Sequence, residues 1–330
     1  MEIKEVKLNS ELQRVKDFLL SCDLNYEEGI DKTLYIEEDS NILASISKEQ
    51  STIKCLAVDK KARSDNYASK LVSEMINLMY QEGIYHILVY TKAVYSNLFQ
   101  SLGFKLIVQT NLTAILEQGT SDITKTLKDI RFKVESKFDI DITKEKINAV
   151  VLNANPFTEG HLHLVEEAIK TCNYLIVFLL EEDKSYYTFK ERMTLAYVSL
   201  QCHSNVIVLP SSKYIVSSLT FPTYFIKERN VRNHEWMATD ALIFRDYFMK
   251  ELNIKYRYVG VETDEVMKLY NQTLKEYLGE KLIEIKRLAS ISASAVRDLV
   301  KNGKIDEALR YIPQASKQVF RLMQQEKNNE

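Results

Sequence analysis

The sequence predicts a two-part α/β protein: a mixed α/β domain, then a domain built on a parallel sheet covered on both faces. Three observations predict it. A chain of 330 residues has room for about two domains. The first third runs strand after strand with helices interposed. From Asn148 onward, strands and helices alternate strictly, the pattern of a parallel sheet with helices on each side.

The elements follow in order. Glu2–Lys7 reads as a strand and Ser10–Leu24 as an amphipathic helix. Thr33–Glu38, Asn41–Ser47 and Thr52–Asp59 read as successive strands. Ser64–Glu82 carries apolar residues at Tyr67, Leu71, Met75, Leu78 and Met79, which is helical spacing. Ile84–Thr91 is a strand, Val94–Ser101 a short helix, and Lys105–Val108 and Leu112–Glu117 are strands. The domains are expected at 1–119 and 147–330, with the charged, partly helical stretch 120–146 as a linker. In the second domain Ala149–Asn153, Tyr174–Leu180, Val206–Leu209, Lys255–Val261 and Leu282–Ile285 read as strands. Gly160–Thr171 and Phe189–Leu200 read as helices.

Composition excludes several classes of function. Hydrophobic residues make up 45% and charged residues 27%, as in ordinary folded domains rather than disordered ones. Lys and Arg number 44 against 46 Asp and Glu, so the chain is not a globally basic nucleic-acid binder and no nucleic-acid partner is expected. No apolar run approaches the roughly 18–20 residues of a membrane span. The start carries Glu2, Lys4, Glu5 and Lys7 and reads as no secretory signal. Four cysteines stand far apart without a C-x-x-C pair. That argues against a zinc site and for reduced thiols in a cytoplasmic protein, and no metal ligands are expected.

The chemistry concentrates in Val150-Val151-Leu152-Asn153-Ala154-Asn155-Pro156-Phe157-Thr158-Glu159-Gly160-His161. An apolar strand ends in a polar turn, and a helix begins near Gly160. The carboxyl end of a parallel strand and the amino end of the next helix form an anion site. Gly160 permits close backbone approach, His161 falls in the first helical turn, and Thr158 adds a hydroxyl. Such a site suits a nucleoside triphosphate attacked at its α-phosphate. The same residues also suit a plain helix start, with Thr158 as cap and His161 on the surface. A second stretch, Ser290-Ile-Ser292-Ala-Ser294-Ala-Val-Arg297, opens a later helix. Ser292, Ser294 and Arg297 there read as a second phosphate clamp or as a serine cap with a surface arginine. Arg192 follows the second strand of this domain and reads as a further phosphate contact or as an ordinary helix charge. Glu181-Glu182-Asp183 follows the second strand and reads as solvated surface or as a group near Mg²⁺.

Asn-Pro-Phe-Thr-x-Gly-His at 155–161, with Ile-Ser-x-Ser-x-x-Arg at 291–297, resembles the nucleotidyltransferase superfamily of the H/T-x-G-H type, which has a Rossmann-like, doubly wound sheet. Asn153–Thr158, Tyr258-Val-Gly-Val-Glu262 and Tyr270-Asn271 most resemble the citrate lyase ligase family within it. Leu56–Asp59 before Arg63-Ser64-Asp65-Asn66, with Leu102-Gly103-Phe104 later, resembles the GNAT acetyltransferase fold over about residues 1–120. Ser64 and Asn66 stand where that family usually has glycines, which argues against tight acetyl-CoA binding.

The resemblance implies an acid–thiol ligase. ATP and acetate would form acetyl-adenylate, and the acetyl group would pass to the thiol of the phosphopantetheine-like arm on the acyl carrier subunit of citrate lyase. It implies that Thr158 and His161 hold the β- and γ-phosphates, with Ser292, Ser294 and Arg297 opposite. Arg192 would stabilise departing pyrophosphate. Asn153 and Asn155 would shape the α-phosphate and adenosine end, Pro156, Phe157 and Gly160 would complete the nucleotide turn, and Mg²⁺ would accompany ATP. The alternatives are an adenylyltransferase acting on a phosphate-bearing acceptor, of the coenzyme A or NAD synthesis type, a non-catalytic regulatory or binding protein that keeps the fold, and a working GNAT acetyltransferase.

Overall fold

The computed structural model describes residues 2–62, 65–181, 185–215, 221, 224–226, 228–288 and 292–329. Two compact units emerge. The first takes the chain to Ile123 together with Phe221–Thr239, and the second takes Thr124–Thr220 and Asp240–Glu330.

The first unit contains β1 (Ile3–Glu5), α1 (Asn9–Ser21), β2 (Lys32–Glu38), β3 (Asn41–Glu49), β4 (Thr52–Val58), α2 (Tyr67–Gln81), β5 (His86–Lys92), α3 (Ser96–Ser101), β6 (Lys105–Gln109) and β7 (Thr113–Gly119). The seven strands form one sheet in the order β1-β2-β3-β4-β5-β7-β6. All neighbours are antiparallel except β4 and β5, which pair in parallel at only Thr52↔Leu88 and Ile53↔Val89 before diverging. Helix α2 covers the sheet with the stripe that its sequence spacing predicts: Leu71, Val72, Met75 and Met79 are fully buried against Leu34, Ile36, Ala44 and Ile46. Each such side chain contributes roughly 1.5–3 kcal/mol.

The second unit contains α4 (Ile123–Phe138), β8 (Ile147–Leu152), α5 (Glu159–Ile169), β9 (Tyr174–Leu179), α6 (Phe189–Leu200), β10 (Val206–Pro210), the end of α7 (Arg229–Ile243), α8 (Met249–Glu251), β11 (Ile254–Gly260), α9 (Glu265–Leu278), β12 (Leu282–Ile285), α10 (Ala293–Lys301), α11 (Ile305–Ala308) and α12 (Lys317–Asn329). Its sheet is wholly parallel, in the order β10-β9-β8-β11-β12. Val150, Leu152 and Val177 bury one face beneath Leu164 and Val165 of α5 and Leu195 of α6. On the other face Phe178 meets Phe248, edge to face, at 5.5 Å. This is the doubly wound α/β architecture that the alternation predicts.

Two features differ from expectation. The segment 120–146, expected as a linker, carries α4, whose Leu127, Ile130 and Val134 are buried at helical spacing. Phe138 stacks at 4.5 Å on Tyr174, and the Asn253 amide donates to the carbonyls of Ile142, Thr143 and Glu145. Its charged residues occupy the solvent face of an amphipathic helix, which composition alone reads as linker. The second difference is that Phe221–Thr239 joins the first unit.

Candidate functional site

Strands β8 and β11 lie side by side where the strand order reverses, and a cavity of about 260 Å³ opens there. In open α/β sheets this switch point is where ligands bind. Its wall combines the β8–α5 turn (Asn153, Asn155, Thr158), the first turn of α5 (Gly160, His161) and the start of α10 (Ser292, Arg297).

Thr158 is extended at φ −126° and ψ 168° and begins α5. Its backbone N–H donates to Nδ1 of His161 at 3.0 Å, and its hydroxyl lies 2.9 Å from the same nitrogen. Nδ1 is therefore an acceptor, and the neutral ring carries its proton on Nε2. Phe157, fully buried, backs the imidazole at 5.5 Å. Burial first, then the charge of Arg287, pulls the His161 pKa down to about 4. The site thus presents a neutral imidazole N–H at a helix amino end.

The turn before α5 is held from three sides. Arg192, fully buried, donates from Nη1 to the Asn153 carbonyl at 2.8 Å and to its Oδ1 at 3.1 Å, and from Nε to the Tyr187 carbonyl at 3.2 Å. The Asn155 side-chain oxygen accepts from the Tyr187 N–H at 3.1 Å. Its backbone carbonyl accepts from Nη1 of Arg297. Ala154 adopts a left-handed φ of +48° and the Asn155–Pro156 peptide is cis. A left-handed alanine persists where surrounding contacts over-determine it.

Ser292 caps α10, its hydroxyl accepting from the Ala295 N–H at 3.1 Å and lying 2.9 Å from the Ser294 hydroxyl. Seven expected residues therefore meet at one cavity: Asn153, Asn155, Thr158, Gly160, His161, Ser292 and Arg297. Four do not line it. Arg192 is buried on the carbonyls that shape the turn. Pro156 and Phe157 are buried beneath the turn, Phe157 as the backing of His161. Ser294 lies off the wall with its hydroxyl turned to Ser292. Ser290 and Ile291, with Glu182 and Asp183, lie outside the described residues.

The sequence reading missed several wall residues. Glu262, just past β11, pairs with Arg287, just past β12, at 2.6 Å, and Arg287 also donates to the Thr263 hydroxyl at 3.2 Å. Burial raises the Glu262 pKa. Arg257 of β11, almost wholly buried, donates to Asp240 at 3.1 Å and to the Tyr270 hydroxyl at 2.6 Å, and that hydroxyl donates to Asp240 at 2.7 Å. The Asn271 amide donates to the Gly260 carbonyl at 2.9 Å. In sequence Arg257 reads as an ordinary strand charge; its partners lie 13 and 17 residues away, outside any local motif. The sole signal was the Tyr258–Glu262 and Tyr270-Asn271 resemblance.

The first unit has its own cavity, of about 290 Å³, where β4 and β5 diverge. Its wall is mainly apolar, from Val58, Val89, Leu98 and Phe99, with Lys54 and Lys92 and with Asn66 at the start of α2. Arg63 and Ser64 lie outside the described residues.

Residues 147–320 match the family described as the citrate lyase ligase C-terminal domain. The citrate (pro-3S)-lyase ligase of Escherichia coli K12 is 31% identical over 318 residues, covering 92% of this chain and 89% of its own. Among solved structures, a GNAT-family acetyltransferase from Staphylococcus aureus Mu50 covers 36% of this chain and all of its own at 16% identity and a TM-score of 0.32. A bifunctional NMN adenylyltransferase/ADP-ribose pyrophosphatase from Francisella tularensis covers 48% of this chain and 42% of its own at 16% identity and a TM-score of 0.31. With nearly its whole length aligned to the Escherichia coli ligase and its second unit matched by that domain, the chain belongs to the citrate lyase ligase family.

Proposed function

We propose that the chain is the ATP-dependent acid–thiol ligase that acetylates the prosthetic-group thiol on the acyl carrier subunit of citrate lyase. Supporting this above all is His161: a neutral Nε2–H donor, fixed by the Thr158 backbone, at the helix amino end over the switch-point cavity. A neutral donor with a positive helix end stabilises polyphosphate without a proton to lose.

Acetate attacks the α-phosphorus of ATP. The bond to the bridging β-oxygen breaks, pyrophosphate leaves, and acetyl-adenylate forms. The carrier thiol then attacks the acetyl carbon and AMP departs. A carboxylate is already a nucleophile, so the protein's task is to align the reactants and stabilise charge. His161 donates to the β/γ-phosphates, and Thr158 holds the ring that does so. Ser292 and Arg297 face them from α10. Asn153 and Asn155 shape the α-phosphate end, and Arg192 acts through them as a positioning residue. Among the described residues no cluster of three or more His, Cys, Asp or Glu could hold a metal ion; in this reading Mg²⁺ arrives with ATP and neutralises phosphate charge.

We assign recognition of the carrier or its arm to the first unit. Its mainly apolar cavity, with Lys92 on the wall, suits an alkyl-amide chain; Lys54 there is buried and paired with Glu27 and Glu49. Replacing Arg63 then raises the KM for carrier more than that for ATP; an unchanged carrier KM defeats this assignment. No helix among the described residues is long and apolar enough to cross a membrane, and we place the reaction in the cytoplasm, where ATP is available.

The deciding experiment measures pyrophosphate release from ATP and Mg²⁺ with acetate, with and without the thiol-form carrier, alongside His161→Ala. Acetate-dependent release with acetyl transfer to the carrier, lost in the variant, establishes the ligase. ATP binding without acetate-dependent release, and release on adding a phosphate-bearing acceptor, establishes the adenylyltransferase instead.

A further inference from the structure

Two arginines at the cavity are built differently. Arg257 is immobilised: it is almost wholly buried, held by Asp240 and Tyr270, and its guanidinium lies 4.5 Å from the Phe244 ring centre. Arg287 has a side chain 36% exposed, paired with Glu262 and touching only one further hydroxyl, that of Thr263, among its described hydrogen bonds. Both Arg287 and Glu262 lie just past strand ends, on the wall that His161 and Arg297 share. We propose that Arg287 is a further phosphate-binding residue of this site, held by Glu262 until the polyphosphate of the nucleotide displaces that carboxylate. The inference rests on the nucleotide reading above and adds a residue and an exchange to it.

The chemistry favours the exchange. An ion pair between partly exposed partners is weak, because water screens it and holding the side chains costs entropy. A polyphosphate offers Arg287 more charge than one carboxylate, in a geometry the guanidinium fork can grip with two hydrogen bonds. Glu262 is the less exposed partner, at 22%, and burial disfavours its charge. Arg287 lines the same cavity as His161, and its charge lowers the His161 pKa. Lys286 beside it is exposed and lines the same wall, but as a point charge lacks the fork.

Glu262 therefore opposes phosphate binding, and this fixes the sign of a test. Binding of inorganic tripolyphosphate and of ATP is measured by calorimetry on the full chain: unaltered, Arg287→Ala, Arg287→Lys, Glu262→Gln and the double variant Glu262→Gln/Arg287→Ala. Arg287→Ala weakens both ligands by about 10- to 100-fold, the range for a lost charged hydrogen bond, and Arg287→Lys recovers part of it. Glu262→Gln tightens tripolyphosphate binding several-fold, and the gain disappears in the double variant. As an independent readout, histidine NMR shows the His161 pKa rising in Arg287→Ala. Melting curves check folding, and if the alanine variant does not fold, Arg287→Lys against Glu262→Gln carries the comparison. Equal binding by Arg287→Ala and the unaltered chain overturns the inference, as does weakening of tripolyphosphate by Glu262→Gln. If the unaltered chain binds neither ligand, the nucleotide reading itself fails.

Discussion

The neutral state of His161 has a consequence that acid titration reveals. In the folded protein burial holds its pKa down to about 4, against about 6.5 for an ordinary histidine. The folded state therefore takes up this proton later than the unfolded chain does. Above pH 6.5 both states hold a neutral ring and the stabilising contribution is fully present. As pH falls from 6.5 towards 4 the unfolded chain protonates first, and the contribution is lost. The full gap corresponds to about 3 kcal/mol, and screening at a half-buried ring brings the expectation to about 1–3 kcal/mol. Unfolding of the second unit, followed in urea between pH 7 and 4, should show an acid loss of this size that His161→Gln lacks. Histidine ¹³C and ¹⁵N NMR, assigned with the same variant, should place the proton of the neutral ring on Nε2. Binding pyrophosphate should raise the His161 pKa, because the added negative charge favours imidazolium. A His161 that titrates at or above 6.5, or that carries its proton on Nδ1, would refute the donor geometry.

Three further outcomes test the supports of the site. Arg192→Met leaves the Asn153 and Tyr187 carbonyls without their donor; it should lower stability by about 2–5 kcal/mol and slow pyrophosphate release, whereas lost turnover with an unchanged melt would return Arg192 to a direct role. Asp240→Asn deprives buried Arg257 of its counter-charge and should cost about 3–5 kcal/mol, against about 1–2 kcal/mol for Tyr270→Phe, as denaturant unfolding would measure. Ser292→Ala removes the cap of α10; a loss of about 1 kcal/mol with a raised KM for ATP is expected, and an unchanged KM would leave Ser292 as a cap alone.

The legible parts of this chain were those in which chemistry and sequence are local. Thr158 and His161 are three residues apart, and the turn, the cap and the donor all fall within one stretch. Ser292 and Arg297 read similarly, because a helix start brings them together. The alternation after Asn148 gave the parallel sheet, since periodicity follows directly from which faces are buried. Other placements are hidden in the sequence because they depend on distant partners. Arg192 has the residue type and position of a phosphate contact, but the Asn153 carbonyl it holds is 39 residues earlier. Glu262 and Arg287 are 25 residues apart and meet only because β11 and β12 run side by side. The 120–146 segment reads as a partly helical linker for a related reason: α4 is amphipathic, and its polar face dominates its composition.

The arginines of the second unit show a physical rule that spacing cannot supply. Arg192 and Arg257 are buried, and each is bound by groups that would be left unsatisfied were it to turn away. Leaving a buried carbonyl or carboxylate unpaired costs more than a new contact at the ligand would return, so these two are fixed parts of the scaffold. Arg297 holds a backbone carbonyl at the cavity wall, and Arg287 holds a partly exposed carboxylate; water or ligand can take over those partners at little cost. Availability to a ligand is thus set by what the guanidinium must leave behind. By that criterion the cavity-wall arginines open to an incoming polyphosphate, among the described residues, are Arg287 and Arg297, while buried Arg192 and Arg257 keep the turn and the strand end in place.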